Sequence, residues 1–184
     1  MKNDNWIRAQ IAGGMLSPAP MSLISKDGNK KVISYGVSSY GYDLRIDRDF
    51  VLFRQHHALL DPKNYTEEGT ERITADSLIL QPGQFALAKS VEYVRMPRDV
   101  IGVCVGKSTY ARIGLIINVT PIEPEWEGHI TLELSNTAPR PILVYAREGI
   151  GQLLFLESSE LCQTSYADRK GKYQSQTGVT PARC

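Results

Sequence analysis

Tyr42-Asp43-Leu44-Arg45-Ile46-Asp47 alternates apolar and charged residues with a period of two, the mark of a half-buried β-strand. Short apolar or alternating runs recur along the rest of the chain. They are Val51–Arg54, Ser77–Leu80, Gln84–Ala88, Val100–Val105, Leu115–Val119, His129–Ser135, Ile142–Tyr145 and Ile150–Leu156. Gly, Pro or Asn often separates them. This spacing predicts a mainly β fold, a sandwich, barrel or jelly roll, with a few short helices. One helix is expected over Asp4 to Ala12, with Asp4 as its cap, Ile7 and Ile11 on one face, and Gly13-Gly14 as its end. A second short one fits Ser108 to Ile113. Ser17-Pro18-Ala19-Pro20 reads as an extended connector.

A chain of 184 residues suits one domain, expected here over 1–184, with a helical segment at about 1–16 and a polar, basic tail at about 166–184. The net charge of +1 supplies no global field for nucleic acid or an anionic membrane. No apolar run reaches membrane-spanning length, and Asp4, Trp6 and Arg8 do not fit a signal peptide. Cys104, Cys162 and Cys184 are odd in number and far apart, which suggests no disulfide framework and a cytoplasmic protein. Cys104, between Val103 and Val105, reads as a small buried hydrophobe. His56, His57 and His129 share no zinc-like spacing with these cysteines.

Four stretches carry residues suited to chemistry. Gly106-Lys107-Ser108-Thr109-Tyr110-Ala111-Arg112 follows an apolar strand and offers a cation, two hydroxyls and a helical turn to an anion. It lacks the upstream glycine spacing of a P-loop, which rejects that reading, and by itself it reads first as an ordinary strand-to-turn connection. In His129–Ser135, Ile130, Leu132 and Leu134 share one strand face, while Thr131, Glu133 and Ser135 share the other. A glutamate there is either simply solvated or, inside a closed pocket, a general acid and base with a raised pKa. Asn118–Gly128 alternates Glu123, Glu125 and Glu127 with prolines and Trp126, as an acidic hairpin loop or an oxygen-rich metal site. Tyr166–Gly178 mixes cations, amides and glycines, as a solvated tail or a wrap for a polyphosphate.

The order of these stretches is more specific than any one of them. Tyr40–Arg45, Gly106–Arg112, the Glu123–Gly128 turn, Glu148-Gly149-Ile150-Gly151-Gln152 and the Gly171–Gly178 tail resemble the five-motif series of the dUTPase / dCTP deaminase superfamily. Thr131–Thr137 and Tyr166–Gly178 resemble its bacterial dCTP deaminases. The resemblance implies a distorted β-barrel or jelly roll, assembled as a homotrimer with active sites between subunits. It implies hydrolytic deamination of dCTP to dUTP and ammonia, feeding dUMP and dTTP synthesis. Glu133 matches the residue that activates water and later protonates ammonia. Ser108 matches a base-pocket serine, and Arg112 an arginine supporting the glutamate and the charge at C4. The Thr120–Pro121 backbone matches the segment reading the cytosine edge, and Glu123 a residue facing the deoxyribose. Lys107, Ser108 and Thr109 match phosphate contacts. Gln152, Tyr166, Lys172 and Gln176 match further nucleotide contacts, with the tail closing over the triphosphate. Tyr110, Ala111, Thr131 and Leu132 accompany them as candidate substrate-binding residues.

Mg²⁺ is expected to arrive on the triphosphate, with no catalytic zinc, since the H-x-E…P-C-x-x-C arrangement of zinc base deaminases is missing from the sequence. dTTP is a further expected ligand, as an inhibitor; nucleic acid and membrane are not expected partners. The nearest alternative is a bifunctional enzyme that releases dUMP and pyrophosphate. A plain dUTPase fits less well, because Pro121–Gly128 lacks the aspartate and tyrosine of the Gly-x-Ile-Asp-x-x-Tyr-x-Gly hairpin. An alternative of another class is a non-catalytic trimer that binds nucleotides as a sensor.

Overall fold

The computed structural model describes residues 1–183. In chain order it begins with helix α1 (Asp4–Ala12), then strands β1 (Leu16–Ser17), β2 (Ile24–Asp27), β3 (Lys30–Ser38), β4 (Gly41–Phe53) and β5 (Thr70–Thr74). Next come β6 (Ser77–Leu80), β7 (Phe85–Arg95), β8 (Val100–Gly106) and helix α2 (Ser108–Ala111). The last strands are β9 (Leu115–Asn118), β10 (Glu127–Asn136), β11 (Ile142–Tyr145) and β12 (Gly149–Glu157). Among the described residues no helix is long and apolar enough to cross a membrane.

Ten strands join in one sheet along the path β2-β3-β4-β7-β10-β9, with β1 on β7, β5 on β4, and β12 pairing both β4 and β8. Strands β6 and β11 form a separate pair. The fold is mainly β, as expected, but the sheets do not close into the expected barrel. The two runs expected at Tyr42–Asp47 and Val51–Arg54 are one strand. Its first half pairs with β3 and β12, and its second half pairs with β5 and β7. The β4–β7 register shifts between Ile46 and Phe50, which is why the alternation falters there.

Strand β7 runs seven residues past the expected Ala88, because its second half buries polar groups. Ser90 and Glu92 are fully buried. Glu92 accepts from the Arg45 backbone N–H (3.0 Å), the Arg45 guanidinium (2.7 Å) and the Tyr42 hydroxyl (3.2 Å). Burial pushes the Glu92 carboxyl pKa up, against the pull of Arg45 beside it. The cap of α1 is Asn3, whose side chain accepts from the Trp6 N–H at 3.2 Å. Asp4 is instead the first helical residue, paired with Arg8 at 2.6 Å. Ile7 and Ile11 are buried as expected, and Gly13-Gly14 ends the helix, with Gly14 at φ +90°.

For the site, the decisive element is β10, the strand between β7 and β9. Ile130, Leu132 and Leu134 point into the main core and are all but inaccessible. Thr131, Glu133 and Ser135 are therefore turned to the opposite face.

Candidate active site

Glu133 stands in a row across four strands. Leu87 of β7 is its partner on one side and Asn118 of β9 on the other, with Val51 of β4 next to Leu87. Directly opposed residues share a face, so the carboxyl lies beside an aliphatic side chain. It faces a cavity of about 660 Å³. Its Oε2 is buried and makes no hydrogen bond. Desolvation raises the Glu133 pKa from the ordinary 4.5 to about 7, with a small opposing pull from its own backbone N–H.

The cavity gathers most of the residues expected from the sequence. Thr131 and Glu133 come from β10, and Thr120, Pro121 and Glu123 from the segment after β9. Tyr166, Lys172 and Gln176 come from the tail. Gln176 donates from Nε2 to the His129 carbonyl (2.8 Å), while its buried Oε1 has no partner. Glu123 is paired with Arg169, and Lys172 donates to the Arg183 carbonyl. Leu132 is the exception on this strand, since its side chain belongs to the core.

The tail lies folded against the body. Asp168 pairs with Arg98 (2.7 Å), and the Trp126 indole donates to the Tyr173 carbonyl (2.9 Å). His129 N–H donates to the Gln176 carbonyl (2.9 Å) and Thr180 N–H to Thr131 Oγ1 (3.4 Å). Gly171 is needed here, because a Cβ at this position would sit 2.2 Å from the Tyr166 ring. The acidic turn is spanned by arginines, Glu123 with Arg169, Glu125 with Arg98 and Glu127 with Arg95. Among the described residues no three His, Cys, Asp or Glu side chains converge as a metal site.

The remaining expected residues lie elsewhere. None of Lys107, Ser108, Thr109, Tyr110, Ala111, Arg112 or Gln152 lines the Glu133 cavity. Ser108, Thr109, Ala111 and Arg112 are exposed on α2 and its end. Arg112 has no carboxylate partner among the described residues. Val105, Ile113 and Ile116, which flank this segment along the chain, are exposed as well. Tyr110 is a core residue whose hydroxyl accepts from the Tyr145 N–H (2.9 Å), so its side chain is not available to a ligand. Lys107 is nearly buried and pairs with buried Asp43 at 2.5 Å. Gln152 donates to that same carboxylate (3.2 Å) and to Ser38 (2.8 Å). Both groups are thus already engaged within the chain.

Sequence reasoning missed one wall of the cavity, formed by Phe53, Phe85 and by Leu60 and Tyr65 of the 54–69 loop. The Tyr65 hydroxyl is buried without a hydrogen bond. Only the length of that loop, unusual for a segment without secondary structure, signalled a role.

The raised carboxyl has a consequence for stability. A group that holds its proton more tightly in the folded state stabilises the fold fully below its unfolded pKa and stops doing so above its folded pKa. Wild-type stability is therefore expected to fall between pH 4.5 and about 7. In Glu133→Gln this fall is absent, and the variant is the more stable one above pH 7 by roughly 2 kcal/mol, after allowing for solvent reaching the cavity. Urea unfolding at pH 5 and pH 8 checks this. Equal wild-type and variant differences at both pH values would contradict a desolvated carboxyl.

Comparison with known proteins gives a consistent picture. Residues 4–158 match the dCTP deaminase-like family. A dCTP deaminase of Teredinibacter turnerae is 56% identical over 183 residues, covering 98% of this chain and 97% of the relative. One from Chlamydia caviae is 54% identical over 184 residues, covering 98% of this chain and 97% of the relative. Among solved structures, the 2'-deoxycytidine 5'-triphosphate deaminase of Agrobacterium tumefaciens superposes with a TM-score of 0.63 at 21% identity. That match covers 85% of this chain and 47% of the longer protein, and it bears on the fold alone.

Proposed function

This chain belongs to the dCTP deaminase-like family and deaminates dCTP, and from that premise we propose that Glu133 carries out the proton transfers of the reaction. Water adds to C4 of the cytosine ring while Glu133 carries a proton from the water to N3. Glu133 then takes the proton of the new C4 hydroxyl and delivers it to the amino nitrogen. The C4–N bond breaks, ammonia leaves, and the uracil carbonyl remains. What carries this reading is the Glu133 carboxyl itself, half-buried, facing the cavity, with a buried Oε2 that makes no hydrogen bond and a pKa raised to about 7. A residue that must both accept and return a proton works best at such a pKa.

The working site is built from more than one copy of the chain. Supporting this, Ser108 and Arg112 lie outside the cavity of their own chain, exposed, as are the flanking apolar Val105, Ile113 and Ile116. A homotrimer related by rotation brings the α2 of one subunit to the Glu133 cavity of the next. There Ser108 hydrogen-bonds the base, and Arg112 stabilises the charge developing at C4. Thr120 and Pro121 read the cytosine edge through their backbone. Tyr166, Lys172 and Gln176 bind the nucleotide from the tail. Lys107 and Gln152 act on the phosphates from their network with Asp43. Mg²⁺ enters with the substrate as Mg·dCTP. Membership of the family extends the proposal to a cytoplasmic enzyme with dTTP as an inhibitor.

Incubation with Mg·dCTP, followed by quantification of ammonia, dUTP, dUMP and pyrophosphate, tests the proposal. Ammonia and dUTP in equal amounts are expected. Ammonia with dUMP and pyrophosphate would show that the reaction continues past dUTP. Binding without turnover would reject catalysis altogether.

A further inference from the structure

Apart from the main core, Val51, Leu87 and Val179 form a second small apolar cluster, flanked by Phe53 and Phe85. Val51 and Leu87 occupy the same cross-strand row as Glu133. Val179 comes from the tail, more than forty residues further along the chain, yet it is only 7% exposed. The next residue, Thr180, is tied through its N–H to Thr131, two positions before Glu133 on the same face. Thr180, Pro181 and Ala182 then continue along the wall of the Glu133 cavity. The tail is thus seated by an apolar side chain packed with Leu87, the cross-strand neighbour of Glu133, and the three residues that follow it line the cavity.

We propose that Val179 is a positioning residue for the reaction: seated in the Val51–Leu87 pit, it holds the tail beside Glu133 and keeps water from the carboxyl. This rests on the reading of Glu133 as the proton-transfer residue. The mechanism is desolvation alone, because no ion pair fixes the carboxyl. The titratable side chains on the same cavity are Asp61 and Tyr65 from the 54–69 loop, Glu123, and Tyr166, Lys172 and Tyr173 from the tail. The Cys104 thiol of β8 lies close enough to feel the Glu133 charge. None of them supplies the dominant influence on Glu133, which is burial. Lifting the tail admits water, stabilises the carboxylate and weakens it as a base.

The test compares Val179→Ser with Val179→Ile. In the ligand-free protein, the Glu133 side-chain carboxyl is followed by ¹³C NMR across pH. Its midpoint is expected to drop by on the order of one pH unit in the Ser variant and to stay in place in the Ile variant. The acid limb of kcat moves down with it, and kcat at the plateau falls severalfold while KM changes little. An unchanged Glu133 titration in Val179→Ser overturns the proposal. So does a raised KM with the acid limb in place, which marks a tail that only adds affinity. The titration does not depend on turnover. Normal ammonia release by Glu133→Gln would instead refute the parent reading and leave the NMR result standing.

Discussion

Glu133→Gln is expected to lower kcat for ammonia release by about 10³–10⁴-fold while dCTP still binds with near-normal affinity. The amide matches the carboxyl in shape. At a pKa near 7 a large share of the wild-type side chains is already neutral at physiological pH, so the substitution changes little in the electrostatics of binding. What it removes is the capacity to take a proton from water and return it to the leaving nitrogen. In the proposed mechanism one residue serves both transfers, so a single substitution costs both. Steady-state ammonia assays and calorimetric titration with dCTP read the two quantities separately. Turnover within tenfold of wild type would end the case for Glu133.

The second large effect concerns assembly. Arg112→Ala and Glu133→Gln are each expected to be nearly inactive as pure proteins, and to regain activity when the two chains are assembled together. In the proposed trimer, a mixed assembly contains sites formed by Glu133 of an Arg112→Ala chain and Arg112 of a Glu133→Gln chain, with both groups intact. Random assembly at equal amounts restores up to about one quarter of wild-type sites. Co-expression with two affinity tags, followed by tandem purification, isolates the mixed species. Inactive mixed trimers would mean that both groups act from one chain, or that no shared site exists.

The strands around the site were legible because their side chains alternate. In β10 the apolar set Ile130, Leu132 and Leu134 is buried, and this alone turned Glu133 to the other face. Strand β6 matches its expected span from Ser77 to Leu80, and β11 its span from Ile142 to Tyr145. Alternation failed where burial is polar. Glu92 reads as a surface residue until Arg45 and Tyr42 arrive from a strand about fifty residues away. Strands β2 and β5 went unmarked because much of their surface is exposed, and β3 because its burial does not alternate, so no hydrophobic period was imposed on them. Closure of a sheet is a property of tertiary pairing, and the expected barrel is not what the strands form.

The site was legible through motif order more than through any single stretch. That order singled out Glu133, Thr120, Pro121, Tyr166, Lys172 and Gln176, and the fold brings them to one cavity. It also named Tyr110 and Leu132, whose side chains are core residues. A motif reports which residues accompany a chemistry and does not distinguish those facing a ligand from those shaping the backbone. Tyr65 and Leu60 carried no motif. Their place on the cavity follows from where the 54–69 loop folds, and local sequence does not encode that.

The tail is held by two forces that respond oppositely to the solvent. Near its start, Asp168 and Arg169 are held by exposed ion pairs with Arg98 and Glu123. Near its end, Val179 is held by apolar burial. Simple salts shorten the Debye length from about 10 Å at 0.1 M to about 3 Å at 1 M and loosen the first kind of attachment. Sulfate, excluded from the surface, tightens the second. Potassium chloride therefore frees the strip at its near end, while ammonium sulfate presses down its far end. At equal ionic strength both salts loosen the near end alike, and the identity of the anion decides how firmly the far end holds.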